Sequence, residues 1–155
     1  MPSPEDWGPA VWALLHTLPE KVADGRPAAL YIGVFNMIKL ICSNLPCPTC
    51  AEDSSRFLAK ISLDKVNTKQ GLKNMIYILH NYVNNKKRKL PFNFKDLDTV
   101  YKKKELSNVI NTFCRKFNTK GNMQLLTESF RRQIALKGFL KWIKQHAVYF
   151  NWRSA

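Results

Sequence analysis

Long apolar segments are absent from this sequence. No run of hydrophobic residues reaches the ~20 that an α-helix needs to cross a bilayer, so we expect no membrane-spanning helix. Residues 1–6 form a short acidic start that resembles neither a secretory signal peptide nor a mitochondrial presequence. Together these two absences predict a soluble protein of the cytoplasm.

Cysteine is also scarce. The chain has 4 cysteines in 155 residues, and Cys42 and Cys114 follow no repeating pattern, which argues against a small disulfide-stapled scaffold. A chain of this length can bury a core without covalent staples. The alternation of apolar and polar residues that marks β-strands is hard to find, so the sequence predicts an all-α fold built as a helical bundle.

Acidic residues are rare in the second part of the chain. Residues 1–60 carry 5 Lys or Arg against 6 Asp or Glu, whereas residues 61–155 carry 20 against 5, and the whole chain has a formal net charge of +14. A basic half fits contact with a polyanion such as nucleic acid. A solvated, lysine-rich exterior explains the charge equally well, and both alternatives stay open.

The spacing of apolar residues predicts a series of helices. The first is expected to begin at a capping residue, Ser3 or Asp6, and to end at Pro19, and Pro46 is expected to end the second. The other predicted elements are helices at 27–43, 48–59, 70–87 and 106–117, a loop at 64–68, a short helix beginning at 93–97, a turn at 118–122 and a basic amphipathic segment at 125–152.

The basic amphipathic segment contains the apolar residues Phe130, Ile134, Phe139, Trp142, Ile143, Val148, Tyr149 and Phe150. An extra helix that packs on the bundle or across a dimer explains this pattern. A docking surface for a partner or a polyanion is the alternative.

A Cys-x-x-Cys pair lies in the stretch from Leu45 to Cys50. Cys47 stands where a helix N-cap would be, Pro48 suits the first helical position, and Cys50 follows one turn into the helix. Free backbone N–H groups and the positive end of the helix dipole favour a thiolate there. The motif alone fits a redox pair, half of a zinc site or a chance spacing.

Two further groups of residues have a chemical character of their own. Trp12 and His16 are four residues apart and share a helix face, which a core tryptophan beside a half-buried histidine would also explain. His80, Asn81 and Asn84 share a face of the fourth helix, with lysines just beyond it. Such a row suits a planar ligand that carries phosphates, although a polar, fraying helix end has the same composition.

Taken in order, Trp12…His16, Cys-x-x-Cys followed by Ala51-Glu52-Asp53, and His80-Asn81-x-Val83-Asn84-x-Lys86 resemble the flavin-linked sulfhydryl oxidases of the Erv/ALR family. The resemblance covers about residues 7 to 92. It implies a four-helix bundle that binds FAD, with a short fifth helix, often as a homodimer. We therefore expect a sulfhydryl oxidase domain at 1–104 and a basic helical extension of unknown role at 105–155.

The resemblance also implies roles for individual residues. Cys47 would be the outer cysteine that meets substrate thiols, and Cys50 the inner one beside the flavin. The residues that would bind FAD are Gly8, Trp12, His16, Cys50, His80, Asn81, Val83, Asn84, Lys86 and Lys89. The implied reaction transfers electrons from protein thiols through this pair and FAD to molecular oxygen, which yields hydrogen peroxide.

The sequence departs from the cellular members of that family. Pro9 replaces an arginine, Leu45 replaces an aromatic residue, and the long-spaced structural disulfide and the terminal shuttle pair have no counterpart. Such minimal chains resemble the forms encoded by large DNA viruses, which would place this protein in the host cytoplasm or the virion. Cys42 and Cys114 have no partner at shuttle spacing. We expect Cys42 to be a buried, inert thiol and Cys114 to be packed against the fold, with a pKa lowered by its basic helix as the alternative.

Other classes of protein fit less of the sequence. A zinc module needs two more ligands at matched spacing, and Cys42, Cys114 and His146 supply no second Cys-x-x-Cys. A thioredoxin-like enzyme requires a strand before its cysteine pair, whereas the approach here is helical. The alternative that remains is a basic helical protein that binds nucleic acid or a virion, with a structural zinc or an inert cysteine pair.

Overall fold

A computed structural model describes residues 4–117 and 126–153 of the chain. The helices are α1 Pro4–Glu20, α2 Ala28–Cys42, α3 Pro48–Ala59, α4 Lys69–Lys86, α5 Asp96–Tyr101, α6 Leu106–Phe117 and α7 Leu126–Gln145, with short 3-10 turns at Leu63–Lys65 and Ala147–Tyr149. Within the described ranges no strand is longer than a single bridge between Val22 and Phe150. The predicted all-α fold is confirmed.

Several predicted boundaries match the structure closely. Both α3 and α6 have the predicted limits, and α2 and α4 differ from the prediction by one residue at each end. Local chemistry explains this accuracy: Cys47 and Thr68 accept backbone N–H groups at the starts of α3 and α4, and Pro48 begins α3.

Other boundaries were wrong. Asp6 lies inside α1 and does not cap it, while the alternative cap, Ser3, falls outside the described residues. By contrast, the end of α1 predicted at Pro19 is correct to within one residue, since the helix stops at Glu20. Pro46 does not end α2, since that helix has already stopped at Cys42.

The region after α3 also differs from its prediction. The predicted loop at 64–68 contains part of a 3-10 turn, and Val66 after it is fully buried. The predicted turn at 118–122 and residue Leu125 lie outside the described residues.

α1 lies at the centre of the bundle. It packs against α2, α4, α5 and α6, and its most extensive contact is with α6. Five residues of α6 are buried, and they belong to the same hydrophobic cluster as the cores of α1, α2 and α4. The expected division at 104/105 stays a prediction, and the buried core continues across that position.

α7 packs on α2 through a close contact at Gly33. A Cβ at that glycine would lie 3.0 Å from Cζ2 of Trp142, so the missing side chain makes room for the indole. Phe139 and Ile143 are buried beside it, as an extra helix on the bundle requires. However, the Phe130 and Ile134 side chains are exposed, at 62% and 56%, and the apolar pattern of this helix is therefore only partly used.

None of the helices within residues 4–117 and 126–153 combines the length and the apolar content that crossing a membrane requires.

Candidate functional site

The Cys-x-x-Cys pair forms a disulfide at the start of α3. The Cα atoms of Cys47 and Cys50 are 5.2 Å apart, Cys47 is the N-cap residue, and Pro48 follows it as predicted. The backbone N–H of Cys50 donates to Sγ of Cys47 over 3.2 Å. Because the helix start directs this donor at Cys47, it stabilises negative charge on the Cys47 sulfur when the bond is opened.

A cavity of about 340 Å³, which we call the disulfide cavity, adjoins this bond. Both cysteines line it, together with residues of α1, α3, the α2–α3 connection and the end of α4. The lining is mostly apolar, and its α1 wall consists of Trp7, Gly8, Val11, Trp12 and Leu15.

Two features of α1 suggest that the disulfide cavity accepts a ligand with hydrogen-bond acceptors. Trp7 is 4% exposed, and its Nε1 donor has no acceptor within the described part of the chain. A buried donor without a partner is costly, and a bound ligand would satisfy it. A Cβ built on Gly8 would meet no atom of the other helices within 4 Å, so the glycine leaves open space at the cavity wall.

A second cavity, of about 520 Å³, lies beside the first, and we call it the basic cavity. Gly8, Trp12, Val83 and Lys87 line both cavities and therefore form their common wall. The basic cavity is also lined by His80 and Asn84, both predicted site residues, and by Lys89, Tyr101 and Lys104. Burial lowers the pKa of Lys87, the neighbouring Lys89 ammonium lowers it further, and Glu5 partly offsets this, so an anion bound here would relieve the repulsion between the two lysines.

The wall between the helices contains a stack of aromatic rings. The rings of Trp12 and His80 are stacked, with centroids 3.9 Å apart and an angle of 8° between their planes. The His80 ring also stacks on Phe92, with centroids 5.4 Å apart. Nε2 of His16 lies 2.8 Å from Nδ1 of His80, and the His16 ring also stacks on Tyr101 at 4.3 Å. The predicted pairing of Trp12 and His16 is thus part of a larger cluster that joins α1, α4 and α5.

Burial keeps both histidines neutral. It lowers the pKa of His16 to about 3, with a further contribution from the neighbouring His80. It also lowers the pKa of His80 to about 4, with the Lys89 ammonium adding to the effect. At neutral pH one ring therefore donates the shared proton to the other, and neither carries a charge.

Asn81 is used differently from its neighbours. Its side-chain Nδ2 donates to the carbonyl of Phe92 over 3.1 Å, and its Oδ1 accepts the N–H of Phe92 over 2.6 Å. The carboxamide therefore fixes the chain after α4 against the helix, which positions the Phe92 ring beside His80.

Lys86 faces the disulfide side of the site. Its Nζ lies 3.2 Å from Oδ1 of Asp53 on α3 and 5.0 Å from the centre of the Tyr82 ring. Hydrogen bonds to Tyr82 and Asp53 raise the pKa of Lys86. The lysines that line the basic cavity are instead Lys87, Lys89 and Lys104.

The two remaining cysteines are buried to different degrees. Cys42 is 1% exposed, and burial raises its pKa to about 12, as expected of an inert thiol. It also lines the disulfide cavity. Cys114 is only half-buried, and burial raises its pKa as well.

The sequence reasoning missed Trp7, Phe92, Tyr101 and Lys104. Trp7 stands next to Gly8, but an isolated tryptophan carries no signal for an unpaired buried donor. The other three come from segments after α4, and no local pattern predicts which of their side chains return to α1. Within residues 4–117 and 126–153, no group of three or more His, Cys, Asp or Glu side chains could hold a metal ion.

Comparison with known proteins gives one match. The model of the Erv1 / Alr family matches residues 9–105. No curated protein and no solved structure matches the chain significantly. The family match includes the cysteine pair, α4 and most of α1, and it spans well over half of the 155 residues, so the chain belongs to the Erv1 / Alr family.

Proposed function

We propose that this protein is an FAD-dependent thiol oxidase that forms disulfide bonds in protein substrates. The observation that carries the proposal is the disulfide between Cys47 and Cys50 opening onto an apolar cavity that shares a wall with a basic one. Membership of the Erv1 / Alr family supports the same reaction.

The two cavities match the two halves of FAD. The apolar disulfide cavity suits the flavin ring, with Trp7, Trp12 and Cys50 in its wall and the Nε1 donor of Trp7 unpaired. The basic cavity suits the adenosine and the phosphates, through His80, Asn84, Lys87 and Lys89. Bound there, FAD would accept an electron pair from the cysteines and deliver it to molecular oxygen, which leaves as hydrogen peroxide.

Protein side chains carry the thiol steps. A substrate thiolate attacks Sγ of Cys47, the bond to Cys50 breaks, and Cys50 leaves as a thiolate. A second substrate thiolate then attacks the substrate sulfur of this mixed disulfide, which releases the oxidised substrate and a Cys47 thiolate. The N–H of Cys50 stabilises that leaving thiolate, because it already points at the Cys47 sulfur over 3.2 Å.

The test is purification and turnover with a small dithiol. The protein should be yellow with one FAD per chain and should consume oxygen with dithiothreitol. Cys50→Ser should abolish turnover, and Cys114→Ser, at a half-buried cysteine that lines neither cavity, should retain it as the matched control. A colourless protein without thiol oxidase activity would contradict the proposal.

The order of the two cysteines can be tested separately. In Cys47→Ala the remaining Cys50 thiolate should produce a long-wavelength band in the flavin spectrum, and Cys50→Ala should lack it. The reverse result would exchange their roles. A homodimer, a viral origin, a cytoplasmic or virion location and a polyanion partner stay predictions.

A further inference from the structure

A groove that the proposed electron transfer does not use lies next to the segment that carries the cysteine pair. This α3–α7 groove has a volume of about 290 Å³, and it is lined by Leu45 and Pro48, two residues before and one residue after Cys47. Its opposite wall is the first part of α7, with Glu128, Arg131 and Arg132. A polypeptide bonded to Cys47 would therefore meet side chains of α7 within a few residues of its own cysteine.

Arg132 is an unusual wall residue because it is almost completely buried. It is 4% exposed, and its Nε donor has no acceptor within the described part of the chain. Burial lowers the pKa of its guanidinium, and Glu128, one turn earlier, partly offsets this. A buried guanidinium with a spare donor favours a carboxylate, which accepts two of its hydrogen bonds in one plane.

Among the other charged side chains of the groove, one positive group has no acidic partner within the described residues. Glu52 is paired with Arg56 over 2.8 Å, and Glu128 is the acidic neighbour of Arg132. Arg131 is exposed and forms no ion pair with any residue in the described ranges. The groove thus presents one guanidinium with a spare donor and one without a counterion.

We propose that the α3–α7 groove binds a carboxylate of the substrate polypeptide, close in sequence to the cysteine that Cys47 attacks. This inference rests on the proposed thiol oxidase function and gives it a substrate class, namely thiols flanked by acidic residues. Arg131 and Arg132 are the specificity-determining residues, and they take no part in the oxidation of a small neutral dithiol.

The test uses a single exchange reaction that needs neither FAD nor oxygen. The Cys50→Ser chain reacts with a cysteine peptide whose thiol is blocked as a mixed disulfide with thionitrobenzoate. The Cys47 thiolate attacks the peptide sulfur, the bond to thionitrobenzoate breaks, and the coloured thiolate leaves with the electron pair. Its absorbance reports the rate, and a chain with both Cys47→Ser and Cys50→Ser gives the background from Cys114.

Three peptides of equal length carry Glu, Gln or Lys beside the cysteine. Each rate is divided by the rate of the same peptide with 2-mercaptoethanol, because a nearby charge alters the reactivity of any disulfide. We expect the Glu peptide to react about fivefold faster than the Gln peptide, and the Lys peptide to be the slowest. Equal corrected rates, or a faster Lys peptide, would overturn the proposal.

Variants separate the groove from the overall positive charge of the protein. Arg131→Gln should bring the Glu to Gln ratio close to one, whereas Lys141→Gln, which removes the same charge further along α7, should leave it near five. If Arg132→Gln folds, it should lower the Glu to Gln ratio as Arg131→Gln does. If it does not fold, the ratio of Arg131→Gln alone tests the proposal. If Lys141→Gln lowers the ratio as much as Arg131→Gln, the preference is a general charge effect and the groove is not its source.

The dithiothreitol assay distinguishes the two proposals. Arg131→Gln should oxidise dithiothreitol at the rate of the unaltered chain. If the unaltered chain oxidises dithiothreitol but shows no preference among the peptides, the groove proposal is wrong and the oxidase function stands.

Discussion

At the scale of single residues, Gly8 has the clearest relation to ligand binding. It lies inside α1, and a Cβ there would project into space that borders both cavities. A glycine within a helix lowers stability by roughly 0.5–1 kcal/mol relative to alanine. The protein therefore tolerates a less favourable residue at a position where a side chain would narrow the wall of the site.

This leads to a prediction for Gly8→Ala. The variant should bind FAD about tenfold more weakly, because the methyl group occupies ligand space, and should gain less than about 0.5 kcal/mol of stability, because its Cβ crowds the ring of Pro9, which follows it in α1. Thermal unfolding without FAD and flavin titration of that protein measure the two effects.

The matched control is Gly138→Ala in α7, where a Cβ would make ordinary contact with Leu40 at 3.6 Å. It should gain about 0.5–1 kcal/mol of stability, because no proline follows it, and it should bind FAD unchanged. Unaltered FAD affinity in Gly8→Ala would mean that the cofactor lies elsewhere.

Sequence spacing predicted which residues share a helix face, but it did not predict which of their side chains form hydrogen bonds or ion pairs with other parts of the protein. His80 and Asn84 do line the basic cavity. Asn81 follows His80 directly, yet its carboxamide is occupied by the backbone of Phe92, and Lys86 is paired with Asp53 of α3. Those partners come from other parts of the chain, so no local pattern could have identified them.

At the scale of helices, α6 and α7 differ in how they are attached to the bundle. α6 packs on α1, and its Phe113 is fully buried, stacked on Phe117 at 4.8 Å and edge-on to Phe139 of α7 at 5.9 Å. In the first part of α7 it is Ser129, Arg132 and Ala135 that are buried.

A pair of phenylalanine variants should show this difference. Phe113→Ala should lower the free energy of unfolding by about 3–5 kcal/mol, since it leaves a large cavity in the core. Phe130→Ala should change it by less than about 0.5 kcal/mol, because that ring is 62% exposed. Denaturant unfolding of both variants provides the measurement, and a small loss in Phe113→Ala would mean that α6 is dispensable to the core.

The limits of helices were easier to predict than their orientation. A capping residue and a proline determine the start of α3 locally, so its range was correct. The rotation of α7 depends on contacts such as that between Trp142 and Gly33 of α2. Phe130 and Phe139 are nine residues apart, which at 3.6 residues per turn puts them on opposite faces of α7, and the neighbouring helices bury only Phe139.

At the scale of the whole molecule, the histidine pair links stability to pH. His16 and His80 join α1 to α4 over 2.8 Å, and their pKa values of about 3 and about 4 lie below the ordinary value of 6.5. Unfolded histidines take up protons below pH 6.5, whereas the folded ones do not until about pH 4 and pH 3. Above pH 6.5 the histidines are neutral in both states and do not make the free energy of unfolding depend on pH. Below pH 6.5 the unfolded state binds more protons than the folded state, so the free energy of unfolding decreases as the pH is lowered.

We accordingly expect the temperature at the midpoint of thermal unfolding to decrease when the pH is lowered from 7.5 to 5. Each histidine contributes up to about 1.4 kcal/mol per pH unit in this window. His80→Gln should have a shallower dependence, because one buried imidazole is removed. The same pH dependence in the variant and the unaltered chain would mean that other groups are responsible.

The site as a whole could not be derived from sequence alone, because it lies where α1, α3 and α4 meet. The family motifs bring together Trp12, the cysteine pair and His80, all of which line one of the two cavities. The wall shared by the cavities depends on the packing of α1 against α4, which is a property of the assembled bundle.

The short span of the disulfide has a consequence for how the protein works. Cys47 and Cys50 are three residues apart and close only the first turn of α3. A ring this small restrains the unfolded chain less than a long loop does, so opening it gives the unfolded state less new freedom than opening a long-range disulfide. In the proposed oxidase this bond would therefore be broken and remade with a smaller effect on the stability of the bundle than a disulfide between distant helices would have.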